Sequence, residues 1–402
     1  MRNMVYIQSG GPTSVINASL YGAFKEAIRL PEKIDHIYGS INGIEGLIDG
    51  KLFDLREEDP EDIELLIQTP GAALGTTRKK LPKDINEPVY AQILDNIQRF
   101  SIKYIFVNGG NDSMDTCDKI AKLCDKKNLD VRVIGVPKTI DNDLACTDYT
   151  LGYASAAKVV INSIYSISKD ALCYKKGKIH IVEVMGRNAG WLTAASDLVP
   201  EEGHPDLIYL PENKFDIEEF LVDVKEVYDR KGVGIVVISE GLQFDRGDAS
   251  EVDSFGHAQL SGAGHALAGV LKQRLGINSR VVELSLLQRA NPFLLSRNDR
   301  DEAIEVGQLA VDSAVKGETG KMIVMKRVCD KPYIGRFELV PLSEVANAER
   351  KIPPEFMQDK TRMSEAFREY LRPLIEGHTF IKYHGGIVRL TEFKKVPVKP
   401  EE

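Results

Sequence analysis

The sequence lacks the features that mark membrane and exported proteins. No uncharged apolar stretch approaches the ~18 residues that a transmembrane helix needs, so no membrane span is predicted. The N-terminal residues show neither the basic region, the long apolar stretch nor the small-residue cleavage site of a secretory signal. The five cysteines form no Cys-x-x-Cys pair and no Cys/His set at zinc spacing. These absences predict a cytoplasmic protein with reduced thiols.

Positive charge is also scarce, because 52 Lys and Arg residues face 60 Asp and Glu residues, which leaves a net charge of -8. A nucleic-acid surface needs many cations to neutralise phosphates, so no nucleic-acid partner is expected, although a local basic pocket fits this balance. Apolar residues are plentiful, at 43% of 402 positions. That length predicts two or three compact units, each able to bury a core.

Short apolar runs alternate with helical patterns along the chain, such as the amphipathic stretch Ala18–Ile28. The predicted strands are Val5–Ile7, Tyr104–Val107, Val131–Val136, Ile179–Val184 and Gly234–Ile238. This alternation predicts an α/β fold with a parallel sheet covered on both faces. Ligands of such sheets bind where the strands end, and the Gly, Asp and Arg residues are concentrated there.

Two glycine-rich turns follow predicted strands, at Ser9–Ser14 and Gly109–Ser113. Glycines let backbone N–H groups approach an anion, and a following helix adds partial positive charge. Each turn could equally be a plain strand-to-helix connection, and Asn-Asp after two glycines is good helix-capping chemistry. Neither turn matches the P-loop or the dinucleotide fingerprint, which argues against a nicotinamide-linked dehydrogenase.

The most specific motif is Pro137–Asp143, which places Lys138, Thr139, Asp141 and Asp143 in one loop. The loop supplies a base, a metal-facing oxygen, a cation and a hydroxyl donor, a combination that a surface turn seldom needs. Phosphoryl transfer depends mainly on positioning and on electrostatic stabilisation of the transferred group. The motif therefore favours phosphoryl transfer.

A further set of polar residues comprises Glu183–Gly190, Pro211-Glu212, Arg280 and Arg289. Arginine forms bidentate contacts with phosphate, and Glu212 could accept hydrogen bonds from sugar hydroxyls. Taken singly, an arginine after a strand is more often part of a surface ion pair.

The order and spacing of these motifs, together with Gly75–Arg78, resemble those of phosphofructokinases from about residue 3 to residue 315, and within them the pyrophosphate-dependent branch. The resemblance implies two Rossmann-like three-layer α/β/α domains with mostly parallel sheets and an active site in the cleft between them. Residues 1–150, completed by about 288–402, would bind the phosphoryl donor, and residues 151–287 the sugar phosphate. The end of the chain, from about Met325 to Lys394–Pro400, is expected to be a solvated tail.

The resemblance also implies roles for single residues. Asp141 would take the proton from the 1-hydroxyl of fructose 6-phosphate, Asp143 would be a metal partner or second carboxylate, and Thr139 would hold the transferred phosphoryl group. The donor side would comprise Gly11, Arg78, Gly110, Asp112 and Lys138. The sugar-phosphate pocket would comprise Met185, Gly186, Arg187, Glu212, Arg280 and Arg289. Arg280 and Lys178 are candidates to reach a neighbouring subunit's site, which implies a homodimer or homotetramer with shared sites.

Two positions decide the expected donor. ATP-using relatives tend to have small residues where Asp112 and Lys138 stand. Asp112 would crowd a nucleotide and repel its α-phosphate, and Lys138 would neutralise the terminal charge of a small inorganic donor, so both favour pyrophosphate. Mg²⁺ is the expected cofactor, on Asn111, Asp112 and Asp141, although Asn111 stands where the family usually has an aspartate and an amide oxygen is a weaker ligand. Leu286 replaces a common His or Tyr. The alternatives are an ATP-dependent phosphofructokinase and a catalytically silent, sugar-phosphate-binding regulatory subunit.

Overall fold

A computed structural model describes residues 2–244 and 262–399 of the chain. The strands are β1 (Asn3–Gln8), β2 (Ile37–Ser40), β3 (Leu52–Asp54), β4 (Ile102–Gly109), β5 (Arg132–Pro137), β6 (Ile179–Val184), β7 (Leu207–Tyr209), β8 (Gly234–Ser239), β9 (Ser279–Glu283), β10 (Lys321–Asp330), β11 (Tyr333–Pro341), β12 (Tyr383–His384) and β13 (Ile387–Val388). The α-helices are α1 (Ile16–Ala27), α2 (Ile44–Asp49), α3 (Pro60–Leu65), α4 (Pro88–Arg99), α5 (Asn111–Lys126), α6 (Tyr153–Ala171), α7 (Trp191–Ala195), α8 (Ile217–Lys231), α9 (Ala263–Leu275), α10 (Arg297–Val315), α11 (Leu342–Val345) and α12 (Glu365–Leu371).

The larger sheet has seven strands in the order β11-β10-β5-β4-β1-β2-β3. Its centre is parallel, and the outermost pairs β2–β3 and β10–β11 are antiparallel. Successive side chains of β1 enter opposite cores, with Met4 and Tyr6 in one and Val5 and Ile7 in the other, because side chains alternate across a strand. Both faces of the sheet are therefore buried under helices.

The smaller sheet is wholly parallel, in the order β7-β8-β6-β9. The predicted fold class is confirmed, and β6 has the predicted limits. The larger sheet takes its strands from residues 3–137 and 321–341, and the smaller sheet takes its strands from residues 179–283. The two sheets are therefore built from different parts of the chain. The domain limits themselves stay a prediction. Within the described ranges, no helix has both the length and the apolar character needed to cross a membrane.

Helices α1 and α10 cross at backbone contact. A methyl group added to Gly22 would lie 1.9 Å from the carbonyl oxygen of Ile304, and one added to Gly307 would lie 2.0 Å from that of Ser19. Only glycine allows this approach. The crossing fixes α1, and with it the glycine turn that precedes α1.

The expected solvated tail is wrong for most of the C-terminal segment. Phe393 packs against Phe53 with ring centroids 6.0 Å apart. The backbone N–H groups of Lys394 and Lys395 both donate to the Glu58 carboxylate at 2.8 Å, and the N–H of Val398 donates to the Leu52 carbonyl at 2.8 Å. This docking could not be predicted from the charged sequence, because most of its contacts are hydrogen bonds from backbone N–H groups rather than contacts of apolar side chains.

Candidate active site

A cleft of about 550 Å³ lies where the carboxyl ends of strands from both sheets meet. Its walls are the turns that follow β1, β4, β5, β6 and β8. Twelve of the residues predicted from the sequence line it: Gly11, Arg78, Gly110, Asn111, Asp112, Lys138, Thr139, Asp141, Asp143, Met185, Arg187 and Arg289. The fold thus brings together residues that are separated by more than half of the chain.

Lys138 fixes the glycine turn after β1. Its Nζ donates to the carbonyl oxygens of Ser9 at 2.8 Å and Gly11 at 2.6 Å, and the side chain is only 2% exposed. Gly10 adopts φ +77°, a conformation that glycine reaches without strain. Burial lowers the pKa of Lys138 to about 7, although the nearby Asp141 opposes the change. The amino group is therefore poorly solvated, and an anion bound in the cleft would favour its charged form.

The second glycine turn opens directly into α5, with Asn111 and Asp112 in its first helical turn. The N–H groups and the dipole at such a helix start favour phosphate. Asp112 lies at the rim, where its carboxylate contacts Lys80 Nζ at 2.9 Å and remains 66% exposed. Of the two residues expected to select the donor, only Lys138 is buried.

The loop of residues 138–150, here called the Asp141 loop, turns sharply at Asn142, which has φ +55°. The Asn142 side chain accepts a hydrogen bond from the Thr150 N–H at 3.0 Å, and Thr139 Oγ1 accepts one from the Asp141 N–H at 3.1 Å. Burial raises the pKa of Asp141 above its usual range, and the charge of Glu240 adds to this effect. Burial and then the charge of Asp141 likewise raise the pKa of Asp143.

Two buried oxygens beside this loop match a hard cation. Asn111 Nδ2 donates to Asp143 Oδ2 at 3.1 Å, while Asn111 Oδ1 and Asp143 Oδ1 are buried without a hydrogen-bond partner in the described residues. Over those same residues there is no cluster of three or more His, Cys, Asp or Glu side chains arranged for a metal ion. Few protein oxygens and several outer ligands are typical of Mg²⁺ held between carboxylates and substrate phosphates.

The turn after β6 forms the opposite wall. Gly186 has φ +134°, and a methyl group there would lie 2.6 Å from the Ala189 carbonyl oxygen. The Gly186 N–H donates to Glu240 Oε1 at 3.3 Å. Arg289 completes this side, and its Nε is buried without a hydrogen-bond partner among the described residues. A buried cationic donor of this kind is suited to an anionic ligand.

Glu212 lies behind this wall and is not among the residues that line the cleft, and its Oε2 is buried without a hydrogen-bond partner among the described residues. Its expected place beside the sugar stays a prediction. Its Oε1 accepts hydrogen bonds from the N–H groups of Gly190 at 2.9 Å and Ile352 at 3.3 Å. Burial raises the pKa of Glu212. The carboxylate therefore anchors the end of the 185–190 turn. Gly186 also stays out of the lining, but its backbone shapes the turn.

Arg280 and Lys178 lie outside the cleft of their own chain. Both are exposed, Lys178 just before β6 and Arg280 in the edge strand β9, whose residues pair with β6. They stand near the amino ends of these strands, whereas the cleft lies at the carboxyl ends. Their expected contact with a neighbouring subunit stays a prediction.

Glu240 and Glu349 both line the cleft, although neither is among the site residues predicted from the sequence. Glu240 directly follows β8, so the rule that sites gather at strand ends could have found it. Glu349 comes from a segment without a strand pattern, and its backbone forms an isolated bridge with Leu144. No sequence signal links those two positions.

Similarity to known proteins agrees with this geometry. Residues 3–314 match the family model described as Phosphofructokinase. The chain is 39% identical over 404 residues to the pyrophosphate–fructose 6-phosphate 1-phosphotransferase of Halomonas elongata, covering 98% of this chain and 96% of that protein. It is 32% identical to the sulfofructose kinase of Alkalicoccus urumqiensis, with 92% and 94% covered. The crystal structure of a pyrophosphate-dependent phosphofructokinase from Marinobacter aquaeolei superposes with a TM-score of 0.91 at 36% identity, covering 100% of this chain and 98% of that chain. The chain belongs to the phosphofructokinase family.

Proposed function

We propose that this protein reversibly transfers a phosphoryl group from pyrophosphate to the 1-hydroxyl of fructose 6-phosphate, giving fructose 1,6-bisphosphate and phosphate. The observation that carries the proposal is the Asp141 loop, which sets a half-buried base and a buried cation between two glycine turns suited to anions. The near full-length similarity to enzymes named for this reaction supports it.

Asp141 is the proposed general base. It accepts the proton of the 1-hydroxyl while that oxygen forms a bond to the transferred phosphorus, and the bond from phosphorus to the bridging oxygen of pyrophosphate breaks. A carboxylate with a raised pKa is a better proton acceptor than a solvated one. Lys138 stabilises the charge that moves onto the departing phosphate. Thr139 lies beside Asp141 and is placed to hold the transferred group.

Lys138 is also the feature that favours pyrophosphate over ATP. The ammonium group lies 3.5 Å from where a Gly10 side chain would begin, so it fills the space beneath the glycine turn. Pyrophosphate is small enough to interact with the positive charge of Lys138 without needing that space. Asp112 would repel a nucleotide's α-phosphate from the rim, and its contact with Lys80 weakens that contribution.

Mg²⁺ is the proposed cofactor, and Asn111 Oδ1 and Asp143 Oδ1 would hold it. When bound, it would neutralise charge on the donor phosphates. Asn111 also fixes Asp143 through its amide hydrogen bond, so replacement of an aspartate by Asn111 leaves one carboxylate and one neutral oxygen at the site. Asp112 is a poor candidate ligand because it is exposed and paired.

Met185, Arg187 and Glu240 form the proposed sugar wall, with Arg289 at the sugar phosphate. Arg280 and Lys178 would complete the site of a neighbouring subunit in a homodimer or homotetramer. A catalytically silent subunit would have no evident need for a buried Lys138 beside the half-buried Asp141. The cytoplasmic location stays a prediction.

The test is the rate of fructose 1,6-bisphosphate formation from fructose 6-phosphate and Mg²⁺, with pyrophosphate or ATP as the sole donor. Turnover with pyrophosphate is expected. Turnover with ATP alone would overturn the proposal that pyrophosphate is the donor. No turnover with either donor would favour a catalytically silent subunit. Sulfofructose as acceptor checks whether the chain instead shares the substrate of its 32% identical relative.

A further inference from the structure

The segment of residues 349–352, here called the strap, runs between the two walls of the cleft. It belongs to the C-terminal part of the chain, outside the 3–314 region that matches the family model. Its contacts are mostly hydrogen bonds from Arg350, to which the proposed reaction assigns no role.

Arg350 binds the Asp141 loop by its backbone and its side chain. The Arg350 N–H donates to the Asp143 carbonyl at 2.7 Å. The guanidinium donates to the carbonyl of Asn142 at 3.3 Å, to that of Thr147 at 2.9 Å and to that of Asp148. A planar group with five donors is suited to join several carbonyls in fixed directions. One side chain therefore joins the sharp turn at Asn142 to the later part of the loop.

Tyr370 extends the same network. Its hydroxyl accepts hydrogen bonds from Arg350 Nη2 at 3.2 Å and from Asn142 Nδ2 at 3.0 Å, and donates to the Asp148 carbonyl at 2.8 Å. Asn142 has a positive φ, which is uncommon for a residue other than glycine. The network thus holds the residue between Asp141 and Asp143 in its sharp turn.

The strap also contacts Trp191 and Glu212, which lie behind the sugar wall. Trp191 Nε1 donates to the Arg350 carbonyl at 3.2 Å, and the guanidinium lies 4.5 Å from the Trp191 ring centroid. Ile352 N–H donates to Glu212, which in turn holds Gly190. One short segment therefore binds both the Asp141 loop and the residues at the end of the 185–190 turn.

We propose that Arg350 is a positioning residue that sets Asp141 against the acceptor hydroxyl by joining the Asp141 loop to Trp191. The inference rests on the proposed function for its catalytic meaning. The structural part of the inference, that Arg350 holds the Asp141 loop in place, does not depend on the proposed function. Small displacements of a reacting group reduce turnover strongly, by up to ~100-fold per ångström.

The test compares R350M, R350K and Y370F with wild type and with the control R368M. Arg368 is also in the C-terminal segment and binds Asp197 at 2.7 Å, but none of its hydrogen bonds in the described residues reaches the Asp141 loop. Amide hydrogen exchange of peptides from residues 139–152 is measured without substrate. The fluorescence of Trp191, the single tryptophan, reports its contact with Arg350.

R350M is expected to increase exchange in residues 139–152, to change Trp191 emission and to lower kcat by ~10- to 100-fold, with KM for both substrates changed by less than ~3-fold. R350K should recover part of kcat because it keeps a cation against the ring, and R368M should do none of this. Unchanged exchange in R350M, or an equal kcat loss in R368M, would overturn the proposal. If wild type is silent with both donors, the proposed function fails, while the exchange data still decide the hold on the loop.

Discussion

At the scale of single residues, the proposed chemistry depends on buried charges at one loop. Asp141 is enclosed by Lys138, Arg289 and Glu240, whose charges shift its pKa in opposite directions. Desolvation is the largest of these effects, so the position of the loop is what raises the pKa of Asp141 and makes it a better proton acceptor.

Asp141→Asn removes the base and keeps the shape of the side chain. We expect kcat for fructose 1,6-bisphosphate formation to fall ~10²- to 10⁴-fold, with a smaller effect on KM. Asp125→Asn, an exposed change on α5, is the control and should leave the rate unchanged. A variant that keeps most of its turnover would exclude Asp141 as the base.

Donor choice is tested by the double change Asp112→Gly and Lys138→Gly. Removing the buried ammonium group empties the space beneath the glycine turn, so turnover with ATP should appear while turnover with pyrophosphate falls. Because Asp112 lies at the exposed rim, Asp112→Gly alone should have the smaller effect. No gain with ATP in steady-state assays would contradict the steric account.

Glu302 tests the electrostatics of the core away from the cleft. Burial raises its pKa from 4.5 to about 7, and it accepts a hydrogen bond from Tyr149. Its stabilising contribution is complete below pH 4.5 and is lost as pH rises through about 7, because the folded state favours the protonated form. Glu302→Gln stays neutral and should stabilise the protein at pH 8 by ~1–2 kcal/mol, less than the full shift implies because the side chain keeps some solvent contact. Thermal unfolding at pH 5 and pH 8 measures this, and an equal difference at both would refute it.

Single residues differ in how far the sequence could predict them. Lys138, Asp141 and Asp143 lie in one loop after a strand, so both their proximity and their chemistry were predictable. Glu212 shows the limit, because a carboxylate after a strand can face the ligand or turn back to hold backbone N–H groups. In the structure Glu212 Oε1 accepts hydrogen bonds from the N–H groups of Gly190 and Ile352, and no local pattern encodes the path of the Ile352 segment.

At the scale of elements, the packing of helix α1 against α10 fixes the position of the glycine turn that precedes α1. Gly307→Ala should lower the free energy of unfolding by roughly 1–3 kcal/mol, because the new methyl group meets the Ser19 carbonyl at 2.0 Å. Gly269→Ala in α9 is the matched control, since no atom lies within 4 Å of its added methyl group. The control should be stabilised by up to ~1 kcal/mol. Denaturant unfolding compares them, and equal effects would exclude the close crossing as the cause.

Strands were the elements most open to prediction, because a buried parallel strand is a continuous apolar run. The β10–β11 pair was missed: these strands are more charged, and only part of β10 is fully buried. The segment after β11 was missed for a different reason. Its docking uses backbone donors and the Glu58 and Gln68 side chains, and such contacts depend on distant residues.

At the scale of the whole molecule, the open question is whether sites are shared between subunits. If Arg280 serves a neighbour's site, mixing Asp141→Ala chains with Arg280→Ala chains should restore activity to about a quarter of the sites in a randomly mixed dimer, because half of the dimers are hybrids with one intact site of two. The double mutant in one chain should stay inactive. Rates after co-refolding measure this, and no recovery in proven hybrids would place Arg280 outside shared sites.

The insertion of β10 between β5 and β11 has a consequence for synthesis. As the chain leaves the ribosome, residues 3–137 can form the parallel centre of the large sheet, but the outer edge of β5 stays unpaired until residues 321–341 emerge. Unpaired edges promote association with other chains. The strap emerges later still. A nascent chain therefore carries an incomplete site through most of translation, and premature termination before residue 350 yields a product whose Asp141 loop lacks the hydrogen bonds from Arg350.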